Sequence, residues 1–262
     1  MRYYVVDAFT DAVFSGNPAG VCVTEQELAA ATMQHIAAEN NLSETAFVHK
    51  RGDVGDYGLR WFTPKAEIDL CGHATLGAAY IVARYLAPRI QCMRFHTQVS
   101  GMLTVRCSKG LFELDFPARS PESIPVDSAM EKAVGAPVLE AHLSRDLMLL
   151  LPDAKAVREA TPDIELVQGL QGMGLIITAP GDEQGTDFVS RFFAPKVGIA
   201  EDPVTGSAHC TLIPYWTNKL NKEQMLAKQV SARGGTLHCR MDSDRVRIGG
   251  RAALYLSGQI FV

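Results

Sequence analysis

The sequence lacks any run of about 18 consecutive apolar residues, and its opening, MRYYVVDAF, has no basic segment followed by a long apolar stretch. Neither a bilayer-spanning helix nor a secretory leader is expected. An excess of positive charge is missing too. Lys and Arg number 25 against 29 Asp and Glu, a net charge of −4, whereas a nucleic-acid surface requires clustered basic residues. The densest basic run, Arg245-Val-Arg-Ile-Gly-Gly-Arg251, alternates with apolar residues and reads as a β-hairpin with one solvated face. The six cysteines form no CxxC, no HExxH occurs, and the pairs His209-Cys210 and His238-Cys239 are adjacent residues whose side chains diverge. The expectation is a cytoplasmic protein with reduced thiols and no metal.

What is present is a repeat. Arg60 to Thr75 reads RWFTPKAEIDLCGHAT, and Arg191 to His209 reads RFFAPKVGIAEDPVTGSAH. The shared lead, Arg-aromatic-Phe-x-Pro-Lys, recurs at Arg191. The copies meet again at Gly72-His73-Ala74 and Gly206-Ser207-Ala208, so the second contains three extra residues. A chain of 262 residues fits one large domain or two halves, and the repeat favours two.

Hydrophobic periodicity predicts strands at Tyr3 to Ala8, Gly20 to Thr24, Thr45 to His49 and Tyr57 to Phe62, and a helix over Glu25 to Asn40. Ala74 to Leu86 is apolar on nearly every face, as a helix surrounded by protein should be. Strands follow at Cys92 to Thr97, Met102 to Cys107 and Leu111 to Phe116, the last two joined at Lys109-Gly110. Pro117 to Pro125, with three prolines, reads as a linker. Beyond it come a helix near Val126 to Val134, strands at Leu147 to Leu151, Leu175 to Ala179 and Phe188 to Phe193, and a helix from Ala208 to about Leu220 in which Pro214 should cause a kink. Each half thus holds strands that must curl around one apolar helix. The expected division is residues 1–116, completed by 252–262, a linker at 117–125, and a second half at 126–251.

A helix start carries unpartnered N–H groups and about half a positive charge, and Gly72 and Gly206 lack the Cβ that would block an anion from those amides. If both starts open into one cleft between the halves, they would cradle a carboxylate. Glu201 and Asp202 read as dipole complements. His73 and Ser207, which match in the repeat, can hydrogen-bond or exchange protons.

Four motifs together, DAFTDAVFSGNPAGVC (Asp7 to Cys22), NNLSETAFV (Asn40 to Val48), RWFTPKAEIDLCGHATLG (Arg60 to Gly77) and EDPVTGSAH (Glu201 to His209), resemble the PhzF-like family of phenazine biosynthesis. The resemblance implies an α+β fold of two pseudo-symmetric halves, each a barrel-like sheet around a central apolar helix, as in diaminopimelate epimerase. It also implies a cofactor-independent isomerase, commonly a homodimer. Carried over by residue, Glu44 is the general acid/base, with His73, Asp202 and Ser207 completing the polar site. Asn17, Gly72, His73, Thr205, Gly206 and Ser207 bind a small carboxylate substrate. Related epimerases use one cysteine from each half. Cys71 matches the first, but the second motif has none before Cys210, so a single glutamate acid/base is favoured over a two-base epimerase, and Cys71 reads as a small packed residue. A non-catalytic small-acid binding protein is the remaining alternative. In the single-base reading, burial beside Phe47 would raise the Glu44 pKa toward working pH.

Overall fold

The first strands carry β-branched and aromatic residues in succession, as in Tyr3-Tyr4-Val5-Val6, so both faces are buried and parity decides which side chains meet which helix. The computed structural model describes every residue, Met1–Val262, and the chain divides into two units, Met1–Asp115 with Gly249–Val262, and Phe116–Ile248.

The first unit contains β1 (Arg2–Ala8), β2 (Asn17–Thr24), β3 (Glu44–Lys50), β4 (Asp56–Phe62), the short β5 (Glu67–Ile68), β6 (Cys92–His96), β7 (Met102–Ser108), β8 (Leu111–Pro117) and a C-terminal strand, Ala252–Gln259. The C-terminal strand pairs with β1, then β1 with β2, β2 with β3, β3 with β4, β4 with β6, and β6 with β7. The senses run antiparallel, antiparallel, parallel, antiparallel, parallel, antiparallel. The β7–β8 turn is made by Lys109 and Gly110, with φ of 50° and 78°, the left-handed pair a tight hairpin requires.

Two helices flank this sheet. α1 (Ala30–Asn40) packs Met33, Ile36 and Ala37 against Tyr3, Val5, Cys22, Phe47 and Phe62. The helix starts at Ala30, five residues after the expected Glu25, and Glu27 in the preceding segment accepts a 2.9 Å hydrogen bond from Arg60. α2 (Gly72–Ile81) lies on the side of Val6, Ala19 and Val21, which line Gly77. All of α2 from His73 to Ile81 is buried except Tyr80. The chain continues through a π-turn, Val82–Leu86, so the α-helix ends five residues before the expected Leu86.

The second unit contains β9 (Glu122–Ile124), α3 (Ser128–Val134), β10 (Glu140–Leu143), β11 (Leu147–Leu150), α4 (Ala154–Glu159), α5 (Ile164–Gly169), β12 (Leu175–Pro180), β13 (Phe188–Ala194), β14 (Ile199–Asp202), α6 (Gly206–Leu220), β15 (Gln224–Gln229), β16 (Gly235–Asp242) and β17 (Arg245–Gly250). The pairings β9–β10, β10–β11, β11–β12, β12–β13, β13–β15 and β15–β16 repeat the six senses of the first unit in the same order. The tract read as a linker thus contributes a strand, since Ser123 and its neighbours pair with β10. α6 is buried from Ala208 through Trp216. Pro214 cannot donate to the carbonyl four residues back, and that carbonyl, on Cys210, accepts a 2.9 Å bond from the Arg119 amide. No helix is long and apolar enough to cross a membrane.

The repeated Arg-aromatic-Phe lead has a structural explanation. Arg60 on β4 grips Glu67 on β5 through two 2.7 Å bonds, and Arg191 on β13 grips Glu201 through bonds of 2.7 and 2.9 Å. Each guanidinium also sits over the phenylalanine two residues on, at 5.3 Å from Phe62 and 5.0 Å from Phe193. The extra residues of the second copy lie inside the Arg–Glu interval, where Pro195–Val197 forms a 3₁₀ turn. Glu201, expected as a dipole complement, is the clamp's acidic half.

Candidate active site

Parity within β3 puts Glu44, Ala46 and Val48 on one face and Thr45 and Phe47 on the other. Glu44, opposite Ala19 of β2, therefore shares the α2 face, while Phe47 meets Phe62 edge-on at 5.6 Å among the α1 contacts. Phe47 is not the wall that buries Glu44, and the expectation that it would be is corrected by this alternation.

At the start of α2, Glu44, His73, Cys71 and Asn17 come together. His73 Nε2 is 3.0 Å from Glu44 Oε2, and Cys71 Sγ is 3.5 Å from His73 Nδ1. The Asn17 amide nitrogen lies 3.2 Å from Nδ1. All four residues are buried. Asn17 was expected at the substrate; in the structure its amide is a neighbour of His73.

The electrostatics differ from the expectation of a raised glutamate. Burial pushes the Glu44 carboxyl up, but the charge and hydrogen bonding of His73, aided by Ser43, outweigh it and hold the group below its ordinary value. Burial alone would lower His73, yet Cys71 and Glu44 hold it well above its usual value. Burial also raises the Cys71 thiol. A neutral thiol offers no charge to the imidazole, so the Glu44 carboxylate is the cause that operates at neutral pH.

In the second unit Asp202, Thr205, Gly206 and Ser207 gather at the start of α6. Thr205 donates its hydroxyl to Asp202, and its amide donates to Gln229 Oε1 at 2.8 Å. Arg145, which the sequence reading missed, donates to Ser207 Oγ at 3.1 Å and is held by Asp146, a fully buried carboxylate that also accepts from the Gly174 amide at 3.1 Å. No motif marks Arg145; an Arg-Asp pair leading into an apolar strand is its only signal.

The two buried helices begin alike. Neither Cys71 nor Thr205, the residue before each first turn, makes a side-chain cap, whereas Asp127, Asp153 and Asp163 cap α3, α4 and α5. Uncapped amides beside a glycine are suited to an anionic oxygen.

The sequence model of the phenazine biosynthesis-like protein family, PhzC-PhzF, matches residues 6–258. A Pseudomonas aeruginosa protein named an uncharacterized isomerase is 46% identical over 261 residues, with 99% of this chain and 98% of that protein covered. A crystal structure of a PhzF-family phenazine biosynthesis protein from Enterococcus faecalis has a TM-score of 0.96 at 49% identity, covering 100% of this chain and 99% of the other. A probable proline racemase from Agrobacterium radiobacter has a TM-score of 0.65 at 7% identity, covering 100% and 93%, a likeness of fold alone. The expected α+β, epimerase-like architecture is the one these structures share, and the chain belongs to the phenazine biosynthesis-like family.

Proposed function

We propose that the protein is a cofactor-independent isomerase of a small carboxylic acid, in which Glu44 removes a proton from one carbon and returns it to another on the same face. The observation that carries this reading is a buried carboxylate 3.0 Å from an imidazole at an uncapped helix start. The amides of Gly72 and His73 would hold the substrate carboxylate, and preorganised donors of this kind stabilise developing negative charge by about 3 to 4 kcal/mol each. Asp202, Thr205, Gly206 and Ser207 form a second polar set at the start of α6.

A carboxylate held low is a weak base. The substrate supplies the correction, since a second carboxylate close to Glu44 raises the pKa of both by like-charge repulsion. Glu44 thus stays ionised in the free enzyme and becomes a better base with substrate bound. The position matching Cys71 in the repeat is Thr205, which supports one proton-transferring face over two. In this reading the enzyme works as a cytoplasmic homodimer on a small carboxylate.

The test is solvent deuterium incorporation into a panel of small carboxylic acids, followed by mass spectrometry and NMR. Exchange and bond migration in the wild type, both lost in Glu44→Gln, are expected. Inversion at a single stereocentre would instead favour an epimerase. Calorimetric binding without exchange would favour a binding protein.

A further inference from the structure

Ser207, Thr211 and Tyr215 recur every four residues along α6 and so share one stripe of the helix. The chain from Glu140 to Arg145 runs past that stripe toward the helix start. Tyr215 donates to Glu140 at 2.7 Å, the hydroxyls of Ser144 and Thr211 lie 3.0 Å apart, and Arg145 donates to Ser207 Oγ at 3.1 Å. A second arginine reaches the same part of α6 by another route. Pro214 leaves the Cys210 carbonyl open, and the Arg119 amide that fills it at 2.9 Å roots residue 119 one turn past Ser207.

The Arg119 guanidinium has no counter-charge. It makes no ion pair and no side-chain hydrogen bond, and its Nη1 is buried without an acceptor. A cation drawn out of water without a partner is costly. Its other edge, Nε with Nη2, is not enclosed, and that edge is a fork able to take a carboxylate through two parallel bonds. On Arg145 the same fork is filled by Asp146, with Nε at 3.0 Å and Nη2 at 2.5 Å from Oδ2, while Nη1 stays unspent. Both arginines surround one thiol. Burial pushes Cys210 up to about 11 against the charges of Arg119, Arg145 and Arg245, with Asp146 acting in the same direction as burial. Arg245 has partners of its own. Asp146 answers Arg145, so the charge left over is that of Arg119, and one carboxylate neutralises it.

We propose that Arg119 and Arg145 form a carboxylate-binding site on the first two turns of α6, with the ligand on the Nε–Nη2 edge of Arg119 and further donors from Arg145 Nη1 and the Ser207 hydroxyl. Ser207 accepts from Arg145, which leaves its own hydrogen to donate. The class that fits is a small carboxylic acid. A phosphate monoester, with a charge of about −1.5 to −2 at pH 7, exceeds the single unanswered charge. This goes beyond the isomerase reading, and its readouts are binding and stability, which do not depend on turnover.

Calorimetry and urea melts on the full chain, with acetate as the probe and chloride holding ionic strength constant, read the site. Acetate should raise the unfolding midpoint, as a ligand of the folded state does. Arg119→Gln gives up no side-chain partner and should fold as the wild type does, with acetate affinity at this site weakened by more than about 10-fold and the midpoint shift reduced. Arg145→Ala combined with Asp146→Asn removes a cation together with its counter-charge and should weaken acetate similarly; it carries the test if Arg119→Gln does not fold. Lys155→Gln, which removes an exposed cation on α4, should change neither readout. Undiminished acetate affinity in either folded variant would overturn the site, with water then the partner of the buried Nη1. Methyl phosphate binding more tightly than acetate would overturn the carboxylate class. Failure of the isomerase reading has a different signature, normal acetate binding at this site with no deuterium exchange.

Discussion

His73 and Glu44, 29 positions apart in sequence, form a buried pair with 3.0 Å between Nε2 and Oε2. The pair holds the carboxyl below its ordinary value in the free protein. The acid limb of kcat/KM, which reports the free enzyme, should therefore fall below the ordinary glutamate range. The acid limb of kcat should lie higher, because a bound carboxylate raises Glu44. Rates are lost as pH falls through each limb, since the base must be ionised. Glu44→Gln should lower kcat by about 10²- to 10⁴-fold while retaining ligand affinity by calorimetry. Coincident limbs would remove the role assigned to the substrate charge.

The same pair predicts a stability window. Glu44 is depressed, so its contribution is present above its unfolded pKa and lost as pH falls through the folded one. His73 is raised, so its contribution is present below its unfolded pKa and lost as pH rises through the folded one. Urea melts across pH should show a plateau in the wild type whose two shoulders are reduced in Glu44→Gln. Unchanged shoulders would mean that other groups set them.

The two Arg–Glu clamps should differ in strength despite their shared motif. Arg191 adds hydrogen bonds to the carbonyls of Val157 and Ala160, at 3.2 and 2.7 Å, at the end of α4. The hydrogen bonds of Arg60 go only to acidic side chains, of which Glu27 is half exposed. Arg191→Lys should cost about 2 to 3 kcal/mol, and Arg60→Lys about 1 kcal/mol. Denaturant melts of the two variants would compare them, and equal losses would contradict the ranking.

Arg145 and Asp146 make a different test, because Asp146 is fully buried while Arg145 is one-third exposed. Arg145→Ala leaves a buried carboxylate without its cation, and a loss of about 3 kcal/mol is expected. Asp146→Asn added to it should restore much of that loss, since the remaining acceptor keeps the Gly174 amide at 3.1 Å. Ser207→Ala, which removes only the 3.1 Å contact to Arg145, should stay within about 0.5 kcal/mol. A double-mutant cycle with no coupling between residues 145 and 146 would refute the assignment.

The pattern of the sequence carried the fold further than it carried the site. Two apolar helices behind matching glycines were visible because burial on all sides leaves no polar stripe. Strand parity alone separates Glu44 from Phe47, three positions apart, although the sequence reading placed them together. The direction of the Glu44 pKa was not legible, since it depends on His73 arriving from another element. The Arg60 and Arg191 leads were visible as a repeat but read only as a sign of two halves. Their clamps span seven and ten residues, and only the paired strands show what the arginines hold. Arg145 reaches Ser207 across 62 positions, and no local spacing encodes that.

His209, four residues into α6 and fully buried, offers a pH test in the second unit that is independent of any substrate. Its Nδ1 donates to the Thr205 carbonyl at 2.8 Å, while Nε2 is buried without a partner. Burial outweighs that bond and lowers the pKa from 6.5 to about 4. The sign follows from proton counting: between these values the unfolded chain holds a proton that the folded chain refuses, so stability rises with pH. The contribution should be complete above about pH 6.5 and fall by about 3 kcal/mol as pH drops to about 4, with no further loss below. His209→Gln keeps a donor for Thr205 but cannot titrate, and should flatten the slope of unfolding free energy between pH 7 and 4 by about one proton. An unchanged slope would show that the imidazole is protonated in the folded protein and that the unpartnered Nε2 has found water.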